Sequence, residues 1–103
     1  MLTKTMVQLL NKQINAELYS AYLYLSMASH FEAESLAGFA NWMKVQAQEE
    51  LSHAMKLYGF VNDRGGRALR GSIDGPPTEW PSPLAVFEAT LEHEREVTRR
   101  IDS

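Results

Sequence analysis

The chain has 103 residues, enough for one domain with a hydrophobic core and too few for two. Its 45% hydrophobic and 22% charged residues are ordinary for a soluble protein, and a formal charge of −3 leaves no electrostatic footprint for nucleic acid. Cysteine is absent, which excludes disulfides, thiolate metal sites and cysteine nucleophiles and leaves His, Asp and Glu as the available metal ligands.

Met1 to Lys4 lead straight into a helical pattern without the features of a secretory signal, and no apolar run approaches the roughly 20 residues needed to span a bilayer. A cytoplasmic protein with no membrane partner is the expectation. Larger and apolar side chains then recur at Leu10, Ile14, Glu17, Ala21, Tyr24, Ala28 and Phe31, predicting one long helix over about residues 5–31. Glu32 to Ala37 breaks the pattern, with Ser35 expected to cap the next helix. A second seam, Phe39, Met43, Gln46, Glu50, His53, Leu57 and Phe60, predicts a helix over about 36–64, ended by Asn62, Asp63 and the Gly65-Gly66 pair.

Residues 65–81, with Gly71, Gly75, Pro76, Pro77 and Pro81, are too many for an ordinary turn. A helix of about 28 residues is roughly 42 Å long, and an extended connection covers that distance at about 3.3 Å per residue. The third helix can therefore start at the same end of the bundle as the second. A floppy surface loop is the alternative, opposed by Ile73 and Trp80, which both favour packing. Ser82 and Pro83, a cap and a first-turn proline, open a third helix over about 83–103 with the seam Leu84, Phe87, Leu91, Glu94, Thr98 and Ile101. That seam is still running at Ser103, so the helix reads as cut rather than finished.

Each seam should be apolar, yet each carries a carboxylate near its middle: Glu17, Glu50 and Glu94, with His53 one turn from Glu50. A buried ionised carboxylate is unfavourable by several kcal/mol unless something neutralises it, and three of them call for a common partner. If the first two helices form an antiparallel hairpin about Ser35, residues whose numbers sum to about 70 lie level, which sets Glu17 opposite His53 and Phe31 opposite Phe39. Glu94 falls near the same layer whichever way the third helix runs. Glu50-x-x-His53 puts two ligand types on one helix face, a weak motif alone and a strong one when it lies level with another buried glutamate. Glutamates paired with Glu-x-x-His are the ligand set of di-iron carboxylate bundles, whereas a polar layer that only fixes helix register is the bland alternative.

Other residues carry weaker signals. Tyr24 lies two turns beyond Glu17, where its hydroxyl could reach a ligand carboxylate or Gln46, or where the ring could simply fill core. Glu49 could serve an additional metal or face solvent. His30 and His93 fall off the seams and read as surface histidines, and Trp42, Met43 and Met55 read as core or flank packing. Arg95, Arg99 and Arg100 with Glu92 and Glu96 read as a salt-bridged exposed face.

Three segments closely resemble the first three helices of non-haem bacterial and archaeal ferritins: residues 15–28 around Glu17, Gln48-Glu49-Glu50-Leu51-Ser52-His53-Ala54, and Leu91-Glu92-His93-Glu94. The likeness covers the whole chain. It implies an all-α, ferritin-like four-helix bundle with a long crossover between the second and third helices and with the fourth helix missing from this chain. It also implies that Glu17, Glu50 and His53 bind the first iron of a ferroxidase centre, that Glu50 bridges to a second iron, and that Glu94 helps bind the second. Tyr24 matches the tyrosine beside that site, and Glu49 matches a ligand of a nearby third iron. Haem-containing relatives have methionine directly after the Glu of Glu-x-x-His, where this chain has Leu51, so no haem is expected.

The implied activity is oxidation of Fe(II) to Fe(III) with dioxygen or peroxide, for storage of iron as mineral inside the cell. The family assembles a shell of 24 subunits. For this chain, a dimer or another self-association is expected, in which two copies cover an apolar groove that includes Leu10, Ile14, Phe39, Phe60, Phe87 and Leu91 and share one site, with their third helices displaced outward. The alternative is a non-enzymatic, self-associating helical module with a vestigial or incomplete metal site.

Overall fold

The computed structural model describes residues 1–102, with side chains through residue 98; the expected packing of Ile101 and the roles of Arg99 and Arg100 lie outside the described residues. Three helices make up the fold: α1 (Lys4–Ala33), α2 (Ala37–Asp63) and α3 (Pro83–Asp102). Among the described residues there is no strand.

α1 starts where the Thr3 hydroxyl accepts the Met6 N–H at 3.2 Å, relieving one of the donors that a helix start leaves unpaired. It ends with Leu36 N–H donating to Phe31 O at 2.9 Å and Ser35 N–H donating to Glu32 O at 3.1 Å. This is a Schellman turn, and it requires a left-handed residue at Ser35, whose φ is 59°. The sequence reading of Ser35 as the N-cap of α2 is therefore corrected. Leu36 holds that position without a side-chain cap, and Ser35 instead closes α1. α2 stops in the same way, with Gly66 N–H donating to Val61 O and Gly65 at φ 81°. A side chain on Gly66 would come within 2.9 Å of Val7, so this turn needs glycine twice over.

α1 and α2 pack as an antiparallel hairpin. α2 presents the small residues Ala40, Ala47 and Ala54 to α1, with Met43 and Val61 between and beyond them. The seam of α1 is buried from Ile14 to Phe31, and the rings of Phe31 and Phe39, predicted to lie level, sit 5.3 Å apart. Ile14 is only 1% exposed, so it belongs to this closed core and not to the open groove in which the sequence placed it.

The crossover lies along the back of α1. The Asn11 side chain clasps its beginning, donating to Arg67 O at 3.0 Å and accepting from Leu69 N–H at 3.1 Å. Further on, Ser26 Oγ donates to Pro77 O at 2.6 Å and the Trp80 ring meets His30 edge-on at 5.4 Å. These partners progress from residue 11 to residue 30 of α1, so the segment returns to the end where α2 began. α3 consequently runs parallel to α2 and antiparallel to α1. Ser82 caps it, its Oγ accepting from Ala85 N–H at 3.1 Å.

α3 meets α1 through Val86, Thr90 and His93, while Phe87 joins Phe31, Phe39 and Trp42 in an aromatic cluster with centroid spacings of 5.3–5.8 Å. Leu84 and Leu91, both on the expected seam, are exposed, which for Leu91 agrees with its place in the expected open groove. The apolar core forms two clusters. One, around Tyr24, Met27, Phe31, Met43 and Val86, lies toward the α1–α2 turn; the other, around Ile14, Ala54 and Val61, lies toward the opposite end.

Candidate metal centre

Between these two clusters lies a layer of acids. Glu17 from α1 and Glu50 and His53 from α2 each offer a ligand atom, and these atoms all fall within 4.8 Å of one another. His53 Nδ1 is 3.7 Å from Glu17 Oε2 and 3.7 Å from Glu50 Oε2. The hairpin geometry explains the meeting: Glu17 and His53 are level across the helix pair, and Glu50 is one turn from His53 on the same face.

The three differ in burial. The Glu17 side chain is 9% exposed, that of Glu50 15%, and that of His53 56%. Among the described residues no Lys or Arg pairs with Glu17 or Glu50. Glu17 Oε1 accepts a hydrogen bond from Gln13 Nε2 at 2.9 Å, whereas Oε2 is buried without a hydrogen-bond partner. A buried carboxylate oxygen left without a donor is costly in the free protein and suited to a cation.

Electrostatics tell the same story. Burial first, then interaction with the neighbouring Glu17 carboxyl, then the charges of Glu17, Glu94 and Glu49 push the Glu50 carboxyl up to about 8. In the metal-free protein near neutral pH, a proton therefore occupies part of the place a cation would take.

Glu94 comes from α3 and lies next to this layer, outside the three-residue group, where it accepts a hydrogen bond from the Tyr24 hydroxyl. Burial, that bond, and the charges of Glu94, Glu50 and Glu17 hold the Tyr24 phenol well above its ordinary range, so it stays protonated and acts as a donor. Glu49 is exposed beside Glu50 and influences it through charge.

Two histidines depart from the sequence reading. His93 is half-buried rather than a surface residue: its Nε2 lies 2.7 Å from Ser20 Oγ, and its ring contacts Tyr19 and Tyr24. Ser20 Oγ also lies 3.0 Å from Ala16 O, so the hydroxyl links His93 to the backbone of α1. His30 is likewise half-buried, between Phe31 and Trp80. Met43 is core, but Met55 is 55% exposed. Ser20 and Gln13 were missed altogether, since a small polar residue and an amide next to a seam look like solvated face residues.

In the single chain α3 is not displaced outward: Tyr24 to Glu94, Ser20 to His93 and the Phe87 cluster hold it against the hairpin beside the acids.

A family profile for ferritins, described as a ferritin-like domain, matches residues 7–103. The chain belongs to the ferritin family. It is 46% identical to the bacterial non-heme ferritin of Bacteroides fragilis over all of its own length and 65% of that protein, and 41% identical to that of Staphylococcus aureus over 97% of this chain and 60% of that one. Its fold superposes on the open-pore ferritin of the hyperthermophilic archaeon Archaeoglobus fulgidus with a TM-score of 0.95 at 59% identity, covering 98% of this chain and 62% of the other. The Chlorobium tepidum ferritin gives 0.94 at 39% identity, covering 99% and 62%. The chain thus spans a little under two thirds of the length of these ferritins, and its three helices follow their fold. Among the described residues, no helix is long and apolar enough to cross a membrane.

Proposed function

We propose that the chain binds Fe(II) at Glu17, Glu50 and His53 and takes part in its oxidation to Fe(III) for storage inside the cell. The observation that carries this reading is the acid layer itself. Two carboxylates and an imidazole converge between two apolar clusters, with one buried carboxylate oxygen unpartnered and, among the described residues, no lysine or arginine paired with them. Hard oxygen and imidazole donors suit iron in both oxidation states. Glu50, whose carboxyl feels the charges of both Glu17 and Glu94, would bridge toward a second iron that Glu94 helps to hold. Tyr24 keeps Glu94 oriented through its hydroxyl, and Glu49 offers a carboxylate for a third, more exposed ion. Iron is the substrate, each Fe(II) giving up one electron to dioxygen or peroxide; no haem takes part. The cytoplasm, and homo-oligomers of the kind that build the family's shell, are the setting this reading implies.

Anaerobic titration with Fe(II) followed by oxygen tests it. Saturable binding, then ferric absorbance rising faster than in free Fe(II), is expected, with both lost in Glu17→Ala. Oxidation at the rate of free Fe(II) would favour a helical module with a vestigial site.

A further inference from the structure

The two oxygens of Glu17 have different surroundings. Oε1 takes a hydrogen bond from Gln13 Nε2, one turn earlier on the same face of α1, at 2.9 Å. Oε2, buried and without a hydrogen bond, is the oxygen 3.7 Å from His53 Nδ1. A carboxylate at the end of a glutamate turns easily, because its terminal torsion is broad and roughly two-fold. Something must hold it if one particular oxygen is to meet the other ligands.

We propose that Gln13 is a positioning residue for the metal site: by donating to Oε1 it holds the Glu17 carboxylate with Oε2 turned toward Glu50 and His53, so that Glu17 offers the cation a single oxygen. This rests on the metal reading above. An amide suits the role better than lysine or arginine, since it orients the carboxylate without cancelling the charge a cation needs. Outer residues that orient metal ligands typically alter affinity by about 10–100-fold, whereas an ordinary side-chain pair one turn apart on a helix adds little to helix stability. The two roles therefore separate by size and by kind of effect.

Gln13→Met keeps the length and helix propensity of the side chain and removes the donor. Wild type and variant are titrated with Co(II) alone, followed by visible absorbance, and the metal-free forms are melted in chelator. Co(II) affinity is expected to fall about 10–100-fold, with a changed Co(II) spectrum at saturation and a melting temperature within about 2 °C of wild type. Affinity and spectrum equal to wild type overturn the inference, as does a loss of affinity accompanied by a melting temperature lowered well beyond that range, which would make Gln13 a structural residue. A wild-type chain that takes up no Co(II) overturns the metal reading, and this inference with it.

Discussion

Replacing Glu50 by glutamine should stabilise the metal-free protein, and the structure says by roughly how much. The Glu50 carboxyl is raised from 4.5 to about 8, so folding draws a proton onto it at neutral pH. A group raised in this way contributes stability that is fully present below its unfolded pKa and is lost as pH rises through the folded value. Integrated to pH 7, the shift corresponds to about 3 kcal/mol, and solvent screening at this partly open site reduces it to about 1–2 kcal/mol. Glutamine is neutral throughout and nearly the same size as the protonated glutamate. For a domain of this size about 1–2 kcal/mol raises the melting temperature by about 4–15 °C. Melts in chelator at pH 5, 7 and 9 read the effect: Glu50→Gln should match wild type near pH 5 and exceed it increasingly up to pH 8–9. A variant less stable than wild type at pH 7, or a difference that does not depend on pH, would show that Glu50 is a structural group and that its burial is not a cost the cation offsets.

Metal uptake near pH 7 should release close to one proton from Glu50 and almost none from it by about pH 9; calorimetry in buffers of different ionisation enthalpy measures this, and release that does not decline with pH contradicts it. Ser35→Gly should add about 0.5–1 kcal/mol by relieving a left-handed serine at φ 59°, read as a higher melting temperature without change in metal affinity. Trypsin should cut at Arg67 and Arg70 far more slowly in the native chain than in the unfolded one, and Asn11→Ala, which removes the clasp on Arg67 and Leu69, should speed that cutting at least severalfold.

Periodicity made α1 readable almost residue by residue, because its whole seam is buried between neighbours. It served less well where an element is covered on one side. On α3 the large residues Leu84 and Leu91 drew the seam toward themselves, while contact with α1 runs through Val86, Thr90 and His93. His93 was read as a surface residue for that reason. On α2 the contact with α1 is made by alanines, which a search for bulky side chains passes over. The convergence of Glu17 with Glu50 and His53 was legible because it depends only on helical rise and on where the hairpin turns. That turn was placed at the right residue for a mistaken reason: Ser35 adopts a positive φ, a backbone property that serine's composition signal, as a frequent N-cap, does not carry. Hydrogen bonds between segments far apart in sequence, such as Asn11 to Arg67, leave no periodic trace at all.

The three residues that meet in the acid layer all belong to α1 and α2. All three precede Asp63, where α2 ends. During synthesis from the N-terminus, the hairpin's contacts become available before the crossover or α3 has left the ribosome, and Glu17 with His53 closes a shorter loop than the hydrogen bonds that α3 makes with α1. Glu94 reaches the layer only afterwards, when the Phe87 cluster docks α3. In a nascent chain the contacts that bring Glu17, Glu50 and His53 together can thus begin to form while Glu94 is still being made.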